Sequence, residues 1–361
     1  MMPHHKWIFA PLLPGVLCLG LLVSAAAQTP PAPAAADESV RSAQALLAQG
    51  RLAEAEVELE KARALSPNDT QLLTLLAKLE GRLGKPQEAI ALLQRVAKLK
   101  PRSAEAHLDL AIVYSDAGML EQGLQETAKA LALDPHLAPA HLNRARILDD
   151  LKREPEARAE FTTACRLLPN DSDCFFYWSF AEHALGDFAK ETLVLQRAVK
   201  LQPERVKAWV LLASSLLEQS RKPEAVEALR HALTLDPNSS EATYMLSRAL
   251  AGSDPQEARR LREQFAALRE KNTVLDRSKS LGNEAYVAST RQDWPNAIRL
   301  YKEALDACGE CEIQPALHKN LGLTLCHSGN LEEGVRELHK ALDLNPNDTD
   351  VVKALSMVEK N

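Results

Sequence analysis

The stretch VKAWVLLASSLLEQSRKPEAVEALRHALTLDPNS, residues 206–239, contains two apolar-patterned segments joined by a polar turn. Apolar residues recur at helical spacing in both segments, which predicts a helix, a short turn and a second helix. Pro237 stops the second helix, because proline lacks an amide proton and disfavours helical geometry in the residue before it. Residues 206–239 therefore form one helix–turn–helix unit.

The same unit recurs along the chain with a period of 34 residues. Prolines mark it at Pro67, Pro101, Pro135, Pro169, Pro203 and Pro237. Two alanine registers follow it, at Ala55, Ala89, Ala157 and Ala225, and at Ala62, Ala130, Ala164, Ala198 and Ala232. A 34-residue period is typical of a helical solenoid, whose function lies in the surface that it presents rather than in a buried catalytic centre.

The period predicts nine helix pairs and a capping helix. Six regular pairs occupy residues 36–239, and two further pairs occupy 275–348. The pair between them, 240–274, is irregular, because its second helix begins one residue early, at Pro255, and its pattern runs on through Phe265 and Leu268 toward Leu275. Residues 251–277 are the candidate for a hinge. Residues 349–361 are predicted to cover the last apolar face, as terminal repeats must.

The residues within each unit resemble the tetratricopeptide repeat family. The unit at 206–239 carries the pattern at Trp209, Leu212, Ala213, Leu216, Ala225, Ala232 and Pro237. The resemblance covers 36–348 and implies an all-α fold, a right-handed α-solenoid whose groove is lined by the first helix of each pair. The chain departs from the pattern at Gly123, Glu191 and Gly334 in the first alanine position, and at Lys152, Ser220 and Asp254 in the turn-glycine position. These departures affect local packing rather than the fold.

Composition and motifs argue against several function classes. The formal net charge is -6, which lacks the basic footprint of a nucleic-acid-binding protein. The sequence shows no Ser-His-Asp order, no phosphate loop and no paired-carboxylate motif. We therefore predict no catalysis, no cofactor, no metal and no nucleic-acid partner.

The N-terminus has the pattern of an export signal. A weakly basic start is followed by an apolar stretch and by three alanines before Gln28. We predict a signal peptide over 1–27, a Pro/Ala-rich linker over 28–37, and an extracytoplasmic location, periplasmic or secreted. Membrane contact is expected only if the N-terminal segment stays uncleaved.

Five of the chain's aromatic residues lie within six positions, Phe175-Phe176-Tyr177-Trp178-Ser179-Phe180. The repeat register places Phe175 and Trp178 in the core, and Phe176 and Phe180 on the groove. We predict an apolar strip that binds a protein or peptide partner, with Asp149 and Asp150 beside it. Its residues are Leu108, Ile112, Leu142, Arg146, Phe176, Phe180, His183, Val210 and Leu217. The alternative is that the strip is covered by the protein itself.

Lys279, Asn283 and Asn320 form a second constellation on the first helices of the C-terminal pairs. They resemble part of the carboxylate clamp by which some tetratricopeptide domains grip acidic C-terminal tails, since an ammonium and two amides suit a carboxylate. The helix that follows has Asp350 and Ala354 where the clamp needs basic residues. The partial clamp is an alternative site.

Two cysteine pairs are candidates for disulfides. Cys165 and Cys174 flank the turn at Pro169, and antiparallel helices would bring them together. Cys308 and Cys311 have the spacing of a redox motif, but no βαβ pattern surrounds them. A loop disulfide, a thiol–disulfide function and a metal-linked function remain open for this pair, and Cys326 is left over.

Overall fold

The computed structural model describes residues 32–358, and these form helices joined by short turns. Within this range the helices are α1 (Ala32–Ala48), α2 (Leu52–Leu65), α3 (Thr70–Arg82), α4 (Pro86–Leu99), α5 (Ala104–Asp116), α6 (Leu120–Leu133), α7 (Ala138–Asp150), α8 (Glu154–Leu167), α9 (Ser172–Ala184), α10 (Phe188–Leu201), α11 (Val206–Glu218), α12 (Lys222–Leu235), α13 (Ser240–Leu250), α14 (Pro255–Thr290), α15 (Trp294–Cys308), α16 (Gln314–His327), α17 (Leu331–Leu344) and α18 (Thr349–Val358).

Within each of the two units described below, consecutive helices pack against one another, as α3 does with α4 and α7 with α8, which confirms the predicted all-α solenoid architecture. Contacts divide the chain into two units: one contains α1–α5 and extends to Gly118, and the other contains α6–α18 and begins at Met119. Among the described residues, no helix combines the length and hydropathy that a membrane span requires. The predicted signal peptide, 1–27, lies outside the described residues.

The repeat signature acts through packing. All nine alanines of the two registers are fully buried, so the small side chain lets neighbouring helices approach closely. Each periodic proline lies two residues beyond the last residue of the preceding helix, as at Leu235 and Pro237. The intervening residue leaves the α region because proline disfavours it there. Spacing and burial together explain why the pattern fixes this fold.

The tight turns within pairs require positive φ. Gly50, Gly84, Gly118 and Gly186 supply it, as does Lys152 at φ 59° and Ser220 at φ 60° in positions where the family has glycine. Asp254, the third departure, instead has φ -140° and caps α14 by accepting a hydrogen bond from the Glu257 amide. The seventh pair therefore begins its second helix differently from the others.

Two helix boundaries differ from the sequence prediction. Helix α1 begins at Ala32, inside the predicted linker 28–37, because alanines favour a helix and Pro33 falls in the first turn where proline is tolerated. Helix α14 runs unbroken for 36 residues through the predicted hinge, fusing the second helix of pair seven with the first helix of pair eight. Lys271 stands where regular repeats have proline, so nothing stops the helix there.

Helix α18 packs against the last helix pair, α16 and α17. Val351, Ala354 and Leu355 are buried and pack with Leu338 and Ala341 of α17. Its apolar side thus covers the end of the stack within the larger unit.

Candidate functional site

Helix α9 carries the aromatic hexapeptide and begins with a side-chain cap. The Asp171 carboxylate accepts a hydrogen bond from the Cys174 amide, which fixes the helix start. Trp178 is buried, as the register predicts, and its indole Nε1 donates to the Glu182 carboxylate at 2.6 Å. Arg158 of α8 in turn binds Glu182 and lies 3.0 Å from Asp187. This network, centred on the buried Glu182 carboxylate, fixes the rotation of α9 and hence the direction of its rings.

The prediction that the Phe176 side chain is exposed on the groove is wrong. Its side chain is only 4% exposed and belongs to the hydrophobic cluster formed with α10, α11, α12 and α13. Phe175, predicted to lie in the core, is half-buried instead, as are Tyr177 and Phe180. The hexapeptide therefore divides its rings differently from the family register, because Phe176 packs with the helices that follow and Arg205 lies over its ring.

The predicted exposed strip is also wrong at two other positions. Val210 is 2% exposed and Leu108 is 7% exposed, so both are core residues. Ile112 is half-buried and, like Leu108, lies on α5 in the smaller unit. Within the larger unit, what reaches the surface is Leu142, Phe180 and Leu217, which are half-buried, and Arg146 and His183, which are exposed.

Every ring of the hexapeptide has a cation over its face. The distances from cation to ring centroid are 5.9 Å for Arg197 and Phe175, 3.6 Å for Arg205 and Phe176, 4.7 Å for Arg146 and Tyr177, 4.9 Å for Lys190 and Trp178, and 5.9 Å for Lys207 and Phe180. A cation within about 6 Å of an aromatic centroid is attracted by the ring quadrupole. The aromatic cluster is thus surrounded by positive side chains from α7, α10 and α11 and from the turn before α11.

These cations differ in their partners and in their exposure. Arg205 donates to the Asp173 carboxylate at 2.5 Å, and Arg197 donates to the neutral Pro169 carbonyl at 2.8 Å. In the described part of the chain, Arg205 is the one of the five cations that forms an ion pair. Lys190 and Arg197 are half-buried, whereas Arg146 and Lys207 are exposed. Their charges are therefore accessible to a ligand.

We call Arg146, Tyr177, Phe180 and Lys207 the aromatic–cation face. The two rings of this face lie 6.5 Å apart, centroid to centroid, on α9. Arg146 comes from α7, in the helix pair before α9, and Lys207 comes from α11, in the helix pair after it. The face therefore spans three consecutive first helices of the larger unit.

Sequence reasoning identified Arg146 and Phe180 but missed Tyr177 and Lys207. The first two share a register position, since they lie 34 residues apart. Lys207 occupies the position that Asp173 has one repeat earlier, a reversal of charge that the sequence does show. That Lys207 reaches the Phe180 ring depends on how α11 packs beside α9, which the repeat period does not specify.

The polar residues predicted beside the strip have separate surroundings. His183 Nδ1 lies 3.2 Å from a Glu191 carboxylate oxygen, and the His183 ring contacts the Phe188 ring edge-on at 5.7 Å. His183 is thus held against α10. Asp150 is exposed, whereas Asp149 is half-buried, and burial raises the pKa of the Asp149 carboxyl.

The two cysteine pairs are both disulfide-bonded. Cys165 at the end of α8 joins Cys174 at the start of α9, with Cα atoms 5.6 Å apart. Cys308 ends α15 and joins Cys311 in the following turn, with Cα atoms 5.1 Å apart. Cys326 is free and half-buried, and burial raises the pKa of its thiol.

The surroundings of Cys308 and Cys311 give no support to redox or metal chemistry. Reactive thiolates are stabilised at helix N-termini, whereas Cys308 lies at a helix C-terminus, where the dipole opposes negative charge. Among the described residues, no group of three or more histidine, cysteine, aspartate or glutamate side chains is arranged to hold a metal ion. The thiol–disulfide and metal-linked alternatives stay hypotheses without a structural observation to favour them.

The partial carboxylate clamp is spread over two helices. Lys279 and Asn283 are exposed on α14, and Asn320 is half-buried on α16. The Lys279 ammonium lies 3.9 Å from a Glu312 carboxylate oxygen, so an internal acid already competes for it. On α18, Asp350 is exposed and Ala354 is buried, and neither supplies the positive charge of a full clamp.

Comparison with known proteins agrees with this geometry. Models of the tetratricopeptide repeat match residues 36–79, 82–129 and 193–240. The chain contains tetratricopeptide repeats. The third match contains α11, so Lys207 lies within a recognised repeat. No curated protein matches this chain at a significant level.

Several solved structures are similar to it in fold. PilF of Pseudomonas aeruginosa is 16% identical with a TM-score of 0.52, over 60% of this chain and 99% of PilF. A tetratricopeptide repeat protein from Parabacteroides merdae is 14% identical with a TM-score of 0.49, over 81% of this chain and 99% of that one. YrrB, described as a tetratricopeptide repeat protein with an unusual peptide-binding site, is 18% identical with a TM-score of 0.40, over 73% of this chain and 96% of YrrB. At such identities the likeness concerns the fold alone.

Proposed function

We propose that this tetratricopeptide repeat protein is a non-catalytic scaffold that binds a segment of a partner protein on the aromatic–cation face. Tetratricopeptide repeat proteins in general bind protein or peptide partners. The observation that carries the proposal is the pair of half-buried rings, Tyr177 and Phe180, flanked by two exposed cations without acidic partners.

The composition of the face suits protein recognition. Aromatic residues and arginine dominate the binding energy of many interfaces, and aromatic side chains offer large contact areas at small cost in side-chain entropy. Phe180 also packs edge-on against buried Phe176, with ring centroids 5.2 Å apart, so the core holds it in one orientation. A pre-oriented ring loses little freedom on binding, which favours affinity.

Selection from a random peptide library displayed on phage tests this proposal. We expect residues 28–361 to enrich peptides that no longer bind after Tyr177→Ala plus Phe180→Ala. The matched control is Leu193→Ala, since Leu193 is 61% exposed on the second helix α10, away from the face. Circular dichroism would establish that each variant keeps its helical content.

Loss of the enriched peptides on the ring variant, with retention on the Leu193 variant, would support the proposal. Enrichment that is equal on all three proteins would place binding elsewhere, with the partial clamp at Lys279 as the next surface to test. Absence of any enriched peptide would argue against peptide binding by this chain.

We further propose that the protein is exported and works in an oxidising compartment. The signal-like pattern over 1–27 supports export, and two disulfides in one chain are typical of extracytoplasmic proteins. Fractionation of the source cells and intact-mass measurement test it. A mature chain that begins at Gln28 outside the cytoplasm is the expected result, and a cytoplasmic chain with reduced cysteines would contradict it.

A further inference from the structure

The aromatic–cation face has an uncompensated positive charge at each end. Asp173, on the same helix as the rings, is already paired with Arg205. Glu182 is fully buried and paired with Arg158. Arg146 and Lys207 have no such counter-charge among the described residues, although Asp149 and Asp150 follow Arg146 one turn later on α7.

We propose that the segment bound at this face is acidic, with carboxylate side chains on both sides of an aromatic or apolar residue. The inference rests on the proposed function and specifies the chemistry of the partner. The apolar residue contacts the Tyr177 and Phe180 rings, and the carboxylates bind Arg146 and Lys207.

The spacing of the face fits a short extended segment. Arg146 lies 4.7 Å from the Tyr177 centroid, the two rings are 6.5 Å apart, and Lys207 lies 5.9 Å from the Phe180 centroid. These distances set an upper limit on the separation of the two cations, and an extended chain advances about 3.3 Å per residue, so at most roughly five residues pass both cations. Two acidic residues with a few residues between them therefore match the face.

The two cations recognise carboxylates in different ways. The Arg146 guanidinium presents a planar set of donors that binds a carboxylate in a bidentate manner, whereas the Lys207 ammonium acts as a compact point charge. Since both head groups also lie over aromatic rings, they are held near the surface rather than extended into solvent. A bound carboxylate thus meets a cation whose position is already restricted.

This surface is separate from the partial carboxylate clamp. The clamp-like residues Lys279 and Asn283 lie on α14, more than seventy residues further along the chain than Lys207. Tyr177 and Phe180 occupy the middle of the new site, where a clamp has amides. The expected ligand is consequently an internal acidic segment with an apolar centre, and a free C-terminus is not required.

The test uses the same random peptide selection, with sequencing of the peptides enriched by the wild type and by Arg146→Gln plus Lys207→Gln. We expect aspartate and glutamate to be enriched around an aromatic or apolar residue with the wild type only. The matched control is Lys200→Gln plus Lys222→Gln, which removes two exposed positive charges from the second helices α10 and α12. It should select the same acidic peptides as the wild type.

One enriched peptide and its analogue with asparagine and glutamine in place of the acids would then be compared by fluorescence anisotropy. We expect about tenfold weaker binding of the amide analogue, and the same loss for the acidic peptide on the Arg146/Lys207 variant, since charge-assisted hydrogen bonds are the strong ones. Higher ionic strength should weaken the acidic peptide more than its analogue, because salt screens exposed charges.

Peptides that depend on Tyr177 and Phe180 but show no acidic preference would overturn this inference and leave the proposed function intact. An acidic preference that survives Arg146→Gln plus Lys207→Gln would overturn it as well. Failure to select any peptide would overturn both, and the selection thus separates the two proposals.

Discussion

The Arg205 guanidinium lies 3.6 Å from the centroid of the Phe176 ring, while its Nη1 donates to the Asp173 carboxylate at 2.5 Å. The Phe176 ring therefore packs with the hydrophobic cluster of α10–α13 and is covered by the Arg205–Asp173 ion pair at the surface. Phe176 and Phe180, one helical turn apart on α9, therefore have different roles. Phe176 stabilises the packing of α9, and the half-buried Phe180 contributes a ring to the aromatic–cation face.

Phe176→Ala should destabilise the protein strongly. Truncation of a buried phenylalanine removes its burial energy and leaves a cavity, at a cost of about 3 to 5 kcal/mol. Phe180→Ala should cost clearly less, because its ring is only half-buried. Urea denaturation followed by circular dichroism measures both, and equal midpoints for the two variants would contradict the assigned roles.

The Cys165–Cys174 disulfide should contribute more to stability than the Cys308–Cys311 disulfide. The first closes a loop with a sequence separation of 9 and the second one of 3. Loop-closure entropy gives about 2.5 kcal/mol for the longer loop and about 1.5 kcal/mol for the shorter one. Thermal midpoints of the two double Cys→Ser variants compare them, with reductant-treated wild type as the reference. A larger loss for the Cys308/Cys311 variant would reverse the expected order.

Glu337→Gln should destabilise the protein in a pH-dependent way. Burial alone would raise the pKa of Glu337, but hydrogen bonds from Lys340 at 2.8 Å and from His318 at 2.6 Å outweigh it and hold the pKa below its usual value of 4.5. A carboxyl whose pKa is lowered on folding stabilises the protein above its unfolded pKa, and this contribution is lost as pH falls through the folded pKa. The difference in unfolding midpoint between wild type and variant should therefore be large near neutral pH and shrink below pH 4.5.

The control for this measurement is Glu332→Gln on the same helix. The Glu332 side chain is 86% exposed and pairs with Arg336 at the surface, where an ion pair contributes little. Its substitution should change the midpoint slightly at any pH. A Glu337 effect that is constant from neutral to acidic pH would show that charge plays no part in it.

Gly334→Ala should destabilise the contact between α16 and α17. A Cβ atom at Gly334 would lie 2.5 Å from the Cys326 sulfur and 2.9 Å from the Gly322 carbonyl oxygen, so the helices would have to separate. We expect a loss of about 1 to 3 kcal/mol, the usual cost of overpacking. Gly81→Ala in α3 is the matched control, since nothing lies within 4 Å of its added Cβ. It should stabilise its helix by up to about 1 kcal/mol, and a neutral Gly334 variant would show that the helices separate easily.

Gly334 also shows why a departure from the repeat pattern need not weaken the fold. The pattern has alanine at this position, and glycine there predicts a local packing defect. In the structure Gly322 and Gly334 face each other, and the missing Cβ atoms let α16 and α17 approach more closely. The sequence shows both glycines, but only the helix pairing shows that they compensate each other.

Periodicity by itself determined the architecture of this protein. Proline at a fixed spacing ends helices through local backbone geometry, and alanine at a fixed spacing sets the close approach of neighbouring helices, so both effects are readable from residue positions. The cysteine pairings are also readable from residue positions, because the places of the cysteines around a turn or within a loop limit which sulfurs can meet.

Only the tertiary structure decided which rings are buried and which cations are free. Phe176 and Phe180 share one helix face, yet packing against α10–α13 and the Arg205–Asp173 pair bury the first and leave the second half-exposed. Likewise, Lys207 joins the aromatic–cation face because α11 lies beside α9. Burial and pairing depend on contacts between residues distant in sequence, whereas the repeat period fixes only the local turn of each helix.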